Sequence, residues 1–324
     1  MLRDARYAIR LLLRRPVFAV SAILTLAFCI GANTAIYTVV DRLLLRPLPY
    51  PEPDRLVEVV AQFWRGDIGF GQTGGTWEVL RHGVAALDLA TTSGGFGSTG
   101  VNLVVGDHPE YVRQQRVSAG YFHVLGVAPA LGREFTADED RPGGPAAAVL
   151  SHGLWLRLFN RDPSAIGRSI TLRGEPHTIV GVMPERFTIG SPVDVWTPVR
   201  PCRTCEGGGQ NYEIIGRLEP GVTWAQAESE IAAVAQPVMD DLYRTARHPA
   251  REHIIPLQRG ETERVRQPIL ILWGAVAAVL LIGCVRDPLT FAAAASALLV
   301  ATIGTLIPAL RIVRLNPVRA LKQP

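Results

Sequence analysis

Two cysteines with the spacing Cys-x-x-Cys are the residues of this chain best suited to redox or metal chemistry. Cys202 and Cys205 lie in a loop that continues into three glycines. A structural zinc site needs four ligands, and the other two cysteines, Cys29 and Cys284, lie in apolar segments. A local disulfide in an oxidising compartment is the preferred interpretation, with free thiols or metal and redox chemistry as alternatives. No βαβ pattern surrounds the pair to suggest a thioredoxin-like domain.

A run of three acidic residues is the second candidate. Asp138, Glu139 and Asp140 precede an arginine and the sequence Pro-Gly-Gly. Neighbouring carboxylates can act in acid–base catalysis or bind calcium. The proline and the glycines favour a different interpretation, an exposed turn.

Motifs for nucleotide hydrolysis and for hydrolase chemistry are missing from the sequence. A phosphate-binding loop needs a glycine-rich stretch that ends in Lys-Ser or Lys-Thr, whereas Lys322 is the only lysine of the 324 residues. Ser151 has no G-x-S-x-G context, and the seven histidines include no H-E-x-x-H pair. The chain is therefore expected to be no enzyme and to need no cofactor, so that any ATP hydrolysis comes from a partner.

The elements that would position these residues are divided between membrane and water. Residues 16–40, 267–285 and 288–310 contain no charged side chain, and each window reaches the roughly 18 apolar residues that indicate a membrane-spanning helix. We predict membrane helices at 16–40, 268–285 and 289–310, followed by a basic tail at 311–324. Residues 1–16 and 311–324 each carry a net charge of +4, against −4 for the rest. This distribution favours contact with anionic lipid and argues against a nucleic-acid partner.

Residues 1–15 have the pattern of an amphipathic helix on the cytoplasmic surface of a membrane. Five arginines before the first span hold the amino terminus in the cytoplasm, so the following domain is exported. The apolar stretch is too long for the 7 to 15 residues of a signal-peptide core. Small and polar residues of the first span, Gly31, Asn33 and Thr34, favour helix packing, with a place on a substrate path as the alternative. The candidate contacts to an ATPase or to lipid are Arg3, Arg6, Arg10, Arg14 and Arg15.

Residues 41–267 have the composition of a folded domain outside the membrane. The sequence predicts a helix over Ser151–Phe159 and a second over Thr223–Tyr243 that begins with a cap at Thr223. Strands mixed with a few helices and many Gly/Pro turns indicate an α+β domain, which we expect to have two lobes. The apolar face of the second helix is expected at Ala225, Ala227, Ile231, Val234 and Val238, and strands are expected at Leu56–Val60, Val112–Val117, His177–Val182 and Tyr212–Leu218.

Segments spread over residues 1 to about 285 resemble the MacB/FtsX-type ABC transporter permeases, above all the large duplicated orphan permeases. Chance similarity does not explain a match that runs through so many consecutive segments. The segments are Arg6–Leu13 (RYAIRLLL), Gly31–Ile36 (GANTAI), Leu44–Tyr50 (LLRPLPY), Ser118–Phe122 (SAGYF), Val124–Phe135 (VLGVAPALGREF), Val149–Trp155 (VLSHGLW), Ile179–Pro184 (IVGVMP) and Leu218–Thr223 (LEPGVT).

The resemblance implies that residues 41–267 form a MacB-like periplasmic core domain, exported across the bacterial inner membrane and joined to a membrane bundle. It also implies a cytoplasmic ABC ATPase as partner, and a homodimer or a pairing with another permease. The expected function is transport, as efflux or mechanotransmission driven by that ATPase. The alternative is a membrane-anchored periplasmic binding or scaffold domain that works without an ATPase.

One junction departs from the family pattern. After Val285 the sequence passes directly to Arg286-Asp287-Pro288, which resembles the approach to the last helix of a permease, and Leu315–Leu321 (LNPVRAL) resembles the family's carboxy-terminal tail. Three spans would place that tail outside, whereas its charges favour the cytoplasm. We therefore expect an internal truncation near Val285 and Arg286 and a permease of a non-coupling form; a segment that fails to cross is the alternative.

Overall fold

A computed structural model describes residues 31, 48–63, 66–93, 100–106, 108–187, 192–201, 209–244, 250–260, 263 and 271 of the chain. The chain divides into two compact units, Pro47–Glu261 and a second unit made of Met1–Arg46 and Thr262–Pro324. In the described part of the chain, no helix is long and apolar enough to cross a membrane. The predicted segments 1–15, 16–40, 268–285, 289–310 and 311–324 lie outside the described residues, apart from positions 31 and 271.

The described residues of the unit Pro47–Glu261 form one twelve-stranded sheet with four α-helices and two short 3-10 helices. The predicted α+β class is therefore confirmed. The strands are β1 (Leu56–Gln62), β2 (Ile68–Gly69), β3 (Leu87–Ser93), β4 (Gly100–Val105), β5 (His108–Val117), β6 (Leu131–Gly132), β7 (Ala147–Leu150), β8 (Ser169–Leu172), β9 (Glu175–Val182), β10 (Val195–Pro198), β11 (Tyr212–Leu218) and β12 (Arg251–Pro256). The helices are α1 (Gly74–Gly83), α2 (Tyr121–Leu125), α3 (His152–Phe159) and α4 (Trp224–Leu242), with 3-10 turns at Pro53–Arg55 and Pro163–Ala165.

Six strands close into a ring, which we call the barrel: β4, β5, β10, β7, β9 and β8, with β8 pairing back to β4. The pairs β5–β10 and β7–β9 are parallel and the other four are antiparallel. Every second residue of a strand faces the inside, and the inside is apolar over most of its length. Leu154 and Phe159 of α3 join this core, so α3 closes the end of the barrel at which β7 ends. The strand residues of the core are Val101, Leu103, Val112, Ala148, Leu150, Ile170, Leu172, Ile179, Val182 and Val195.

Four further strands form what we call the open sheet, in the order β3, β11, β1, β12. Helices α1 and α4 cover one face, where Leu80 and Ile231 belong to the same apolar cluster as Val57 and Ile214. The open sheet joins the barrel through the pairing of β3 with β5 at Thr92. Covering one face with helices gives this region an ordinary two-layer α/β packing.

A third apolar cluster fills the space between the barrel and the open sheet. Helix α2 supplies Phe122, whose ring meets the outward-facing Trp196 of β10 edge-to-face, with centroids 5.7 Å apart. Ile215 of β11 and Val117 of β5 belong to the same cluster. Because one cluster takes residues from both regions, their relative placement is fixed by packing of interior density.

The predicted strands and helices are confirmed, with small shifts at their ends. Strand β11 and the predicted segment Tyr212–Leu218 coincide. Helix α4 begins after Thr223, which forms a capping box with Gln226. The expected apolar face was wrong at Ala225, which is exposed. The buried residues of α4 repeat every four positions at Ala227, Ile231, Ala235 and Met239, because the helix meets the sheet along a single narrow stripe.

Candidate functional site

A pocket of about 280 Å³ opens at one end of the barrel. It lies where β5, β8 and β10 end and β9 begins, opposite the end that α3 closes. Its volume is close to the lower limit for small-molecule sites in proteins. Its lining residues are Gln114, Arg116, Leu172, Arg173, Glu175, His177, Thr197, Pro198, Val199 and Arg200.

The wall of the pocket is made by polar residues that continue the inward-facing rows of the barrel. Gln114 follows the core residue Val112 by two positions, and Thr197 follows Val195 in the same way. Gln114 is only 5% exposed, and its Nε2 donates a hydrogen bond to Thr197 Oγ1 at 2.7 Å. Among the described residues its Oε1 has no hydrogen-bond partner. A buried amide with one unused polar atom is costly unless a ligand or water completes it.

His177 enters the pocket from β9 as a neutral ring. Its Nδ1 donates to the backbone carbonyl of Glu175 at 2.9 Å, so the neutral imidazole presents Nε2 as an acceptor. Burial lowers the pKa of His177, and the charge of Arg200 lowers it further, against the opposing effect of the bond to Glu175. The ring therefore stays uncharged at neutral pH.

Three arginines make the pocket basic. Arg116, Arg173 and Arg200 all line it, whereas Glu175 is the one carboxylate among its lining residues. Arg200 Nη2 is buried and, within the described part of the chain, meets no hydrogen-bond acceptor. A guanidinium presents a planar array of donors that fits carboxylate and phosphate groups. The arrangement therefore favours an anion.

Two of these arginines have an unusual backbone conformation. Arg173 has φ 53° and Arg200 has φ 49°, in the left-handed region that side chains other than Asn and Asp seldom adopt. Arg173 and Gly174 together form the two-residue turn between β8 and β9, with positive φ at both positions. Asparagine is preferred over arginine at the first position of such a turn. Strain of this kind tends to accumulate at functional sites.

Asp140 holds Arg200 in place. Its carboxylate accepts the backbone N–H of Arg200 at 2.9 Å and that of Ala119 at 3.1 Å. Burial raises the pKa of Asp140, although these two hydrogen bonds act in the opposite direction. Asp140 thus acts on the pocket through the backbone and is a positioning residue.

The expectation of an exposed acidic turn is right for Asp138 and wrong for its two neighbours. The side chain of Asp138 is 83% exposed. Glu139 and Asp140 are buried, because each has internal partners that replace water. Glu139 accepts two hydrogen bonds from the guanidinium of Arg133, at 2.8 and 2.9 Å, and this bond lowers its pKa. The described residues hold no cluster of His, Cys, Asp and Glu that could bind a metal ion.

The remaining predicted site residues lie almost entirely outside the described residues. This applies to the predicted disulfide between Cys202 and Cys205, to the packing residues Asn33 and Thr34, and to the basic amino-terminal group. Gly31 is described, as a helical and exposed residue. The predicted contacts to an ATPase or to lipid that lie outside the described residues are Arg3, Arg6, Arg10, Arg14 and Arg15.

Sequence reasoning missed the pocket. The segments Val112–Val117 and His177–Val182 were expected as strands, but nothing in either marks Gln114, Arg116 or His177 as neighbours in space. The one local signal was Arg173-Gly174, a turn pair in which arginine replaces the usual residue. Closure of the barrel, which brings residues 114 and 200 together, has no signature in the local sequence.

Comparison with known proteins identifies the class of domain. The family model described as MacB-like periplasmic core domain matches residues 19–234, about two thirds of the chain. The match to this family model extends from the first apolar window, at residue 19, to residue 234 of α4. It therefore includes every residue that lines the pocket.

Individual relatives are more distant. The protein named "Probable export ATP-binding/permease protein MacB" from Pseudomonas entomophila is 29% identical over 124 residues, which are 37% of this chain and 18% of the relative. The macrolide export ATP-binding/permease protein MacB of Hahella chejuensis is 29% identical over 119 residues, 36% of this chain and 18% of that protein. The chain thus matches under a fifth of the length of these curated relatives. The crystal structure of the periplasmic region of MacB from Actinobacillus actinomycetemcomitans has a TM-score of 0.47 at 15% identity, covering 65% of this chain and 92% of that one.

Proposed function

The chain belongs to the family of MacB-like periplasmic core domains, and from this premise we propose that it is the permease subunit of a MacB/FtsX-like ABC transport system. The observation that carries the proposal is the continuity of the family match from position 19, inside the first apolar window, to position 234 in α4. A core domain preceded by an apolar segment and basic residues suits a domain held on the outer side of the inner membrane. Export or mechanotransmission of a substrate then takes place on the periplasmic side.

In this proposal ATP hydrolysis belongs to a separate cytoplasmic subunit. The sequence contains no phosphate-binding loop, and its one lysine, Lys322, lies two positions before the final proline, Pro324. Both curated relatives carry ATP-binding in their names, but the matched part is under a fifth of their length. In this proposal the matched part is a permease domain, and a partner ATPase supplies nucleotide hydrolysis.

The basic amino-terminal segment is the proposed contact with that ATPase or with anionic lipid. An amphipathic helix with arginines on one side can lie along a membrane surface and present its charges to a partner. The proposed assembly is a homodimer or a pair with a second permease. The charged contact residues are Arg3, Arg6, Arg10, Arg14 and Arg15.

We further propose that this subunit docks an ATPase without stimulating it. The loop between the second and third apolar segments, where such a permease would couple to the ATPase, is reduced to Arg286-Asp287-Pro288. Loss of an internal piece at Val285 and Arg286 explains both this short loop and the basic tail after an odd number of spans. Gly31, Asn33 and Thr34 would pack the first span against a neighbouring helix.

Copurification tests the proposal. The full chain, tagged and extracted in detergent, is expected to bring down an ABC ATPase of its host in stoichiometric amount, with ATP turnover unchanged by its presence. A variant with all five amino-terminal arginines changed to glutamine is expected to lose the ATPase. The matched control changes Arg311, Arg314 and Arg319 of the tail to glutamine and is expected to retain it. Stimulated turnover would refute the non-coupling form.

Absence of any ATPase from the purified chain would instead favour a second candidate function. The pocket at the barrel mouth, with its buried and incompletely bonded Gln114 and Arg200, favours a membrane-anchored periplasmic binding domain. Such a domain would bind its ligand without any nucleotide-dependent step. Ligand binding that is unaffected by ATPase removal would support it.

A further inference from the structure

We propose that the pocket at the mouth of the barrel binds a small molecule through a phosphate or carboxylate group. The inference goes beyond the transport role and does not depend on it, because binding can be measured with this chain alone. No sequence motif indicates this site. It is assembled from three strand ends and one two-residue turn.

The charges of the pocket suit an anion. Three guanidinium groups, those of Arg116, Arg173 and Arg200, face one carboxylate, that of Glu175. Among the described residues, no carboxylate forms an ion pair with Arg116 or with Arg200. The nearest anchor of the Arg200 side chain is a hydrogen bond from its Nε to the backbone carbonyl of Glu139 at 3.4 Å. An anion in the pocket would supply the missing acceptor for Arg200 Nη2.

The polar wall gives the ligand a second point of recognition. Gln114 has one amide atom engaged by Thr197 and the other unused. The neutral His177 presents Nε2 as an acceptor, since Nδ1 is held by the carbonyl of Glu175. Both atoms can accept a hydrogen bond from a hydroxyl, an amine or a protonated phosphate oxygen. The ligand class is therefore an anion that also carries a hydrogen-bond donor.

The size of the pocket limits the ligand. Its volume is about 280 Å³, enough for roughly nine water molecules at about 30 Å³ each. Inorganic phosphate and glycerol phosphate both fit this limit. The first represents a free anion, and the second represents the headgroup of an anionic lipid.

Backbone strain provides an independent reason to assign a role to Arg173. At φ 53°, before a glycine with φ 84°, it occupies a position that asparagine fills with less strain. If the only role of Arg173 were to form the turn, Arg173→Asn would leave the affinity for the ligand unchanged. If the Arg173 side chain binds the ligand, the same substitution weakens ligand binding while it keeps or raises the Tm.

Isothermal titration calorimetry on the full chain in nonionic detergent tests the proposal, with inorganic phosphate and then glycerol phosphate as the probes. Arg116→Gln and Arg173→Asn are each expected to weaken binding about tenfold or more, since each removes a charge-assisted hydrogen bond. Arg173→Asn is expected to keep the wild-type Tm or exceed it. The matched control is Arg251→Gln, an exposed arginine on β12 of the open sheet, which is expected to leave binding unchanged.

Gln114→Glu is a variant of opposite design. The substitution keeps the size of the side chain but places a negative carboxylate next to the oxygen atoms of the bound phosphate. Because the two negative groups repel each other, phosphate binding is expected to fall below detection. Tighter binding of phosphate than of glycerol phosphate would assign the pocket to a free anion, and the reverse order would assign it to a headgroup. The proposal is overturned if neither probe binds at millimolar concentration, or if Arg116→Gln and Arg173→Asn bind as tightly as Arg251→Gln.

Discussion

The barrel and the open sheet are built from strands of the same continuous sheet, yet their buried polar side chains lie in different surroundings. In the barrel the inward rows end in Gln114, Thr197 and His177, which surround an open pocket. In the open sheet Glu252 of β12 is 1% exposed, and its carboxylate accepts a hydrogen bond from Gln72 Nε2 at 3.0 Å. Burial disfavours the charged form in both regions, so it raises the pKa of Glu252 to about 7 and lowers that of His177.

The difference follows from how each region is closed. A closed ring has two ends, and here α3 covers one end, so that inward-facing polar residues collect at the other, where a ligand can reach them. An open sheet has faces instead of ends, and α1 and α4 pack on one of them. A carboxyl placed in that layer can avoid the cost of burying a charge only by taking up a proton. The barrel therefore leaves its inward-facing polar residues at an open pocket, whereas the open sheet encloses the carboxyl of Glu252.

The largest effect is expected from cavities in the two cores. Leu103 in the barrel and Leu80 of α1 are both fully buried, so Leu103→Ala and Leu80→Ala should each lower the free energy of unfolding by about 2 to 5 kcal/mol. Urea denaturation of the full chain, followed by tryptophan fluorescence, measures this change. Leu156→Ala, at a residue 41% exposed on α3, is the control and should cost under about 1 kcal/mol. Two separate transitions in either variant would show that the two regions unfold independently.

A smaller effect, dependent on pH, is expected at Glu252. Its pKa is raised from 4.5 to about 7 in the folded chain, so the folded state holds a proton that the unfolded state releases between these values. Stability from this group is complete below pH 4.5 and is lost as the pH rises through 7, by about 3 kcal/mol. Glu252→Gln should remove this fall in stability. Denaturation midpoints at pH 5 and pH 8 test it, and an unchanged difference between them in the variant would contradict the assignment.

The helix caps allow a matched comparison of about 1 kcal/mol in each region. Ser151 Oγ accepts the N–H of Leu154 at 3.1 Å at the start of α3 in the barrel. Thr223 and Gln226 form a reciprocal capping box at the start of α4 on the open sheet. Ser151→Ala and Thr223→Ala are each expected to cost about 0.5 to 2 kcal/mol. Equilibrium urea unfolding measures both, with Ser151→Gly and Thr223→Gly as controls that should cost less than the alanine variants.

The smallest effect is expected at His177, with a sign opposite to that at Glu252. Its folded pKa lies below 6.5, so the unfolded chain binds the proton more readily than the folded chain does. The stability it contributes is complete above pH 6.5 and is lost as the pH falls through the folded pKa. His177→Gln should flatten this acid-side loss and leave the behaviour above pH 7 as in the wild type. A steeper acid-side loss in the variant would mean that His177 is charged in the folded barrel.

Local sequence was a good guide to individual elements. The strand Tyr212–Leu218 was predicted from its strand-like residue content and the cap at Thr223 from capping chemistry, and both signals act within a few residues. The phase of α4 was wrong at Ala225, because alanine contributes little to a hydrophobic pattern and the sheet decides which stripe is buried. Short strands such as β7 and β10 were missed, since four buried residues in a row do not alternate.

The candidate site depended on long-range pairing. Arg116 and Arg200 are 84 positions apart and meet because β5 and β10 pair in parallel, with Thr197 opposite Arg116. The acidic residues Glu139 and Asp140 are buried because Arg133 and two backbone amides reach them after the chain has folded. Residue types and spacing in one stretch of sequence contain no information on either event.

The sequence by itself determined the class of this protein: its α+β composition, the caps and strands with local signals, the lack of a nucleotide-binding loop and its resemblance to ABC permeases. These properties depend on residue order over short distances. Tertiary structure alone decided that six strands close into a barrel, that one end of it remains open, and that three arginines and an incompletely bonded glutamine meet there. Closure depends on pairing between distant strands, and only that pairing determines which alternate residues face inward.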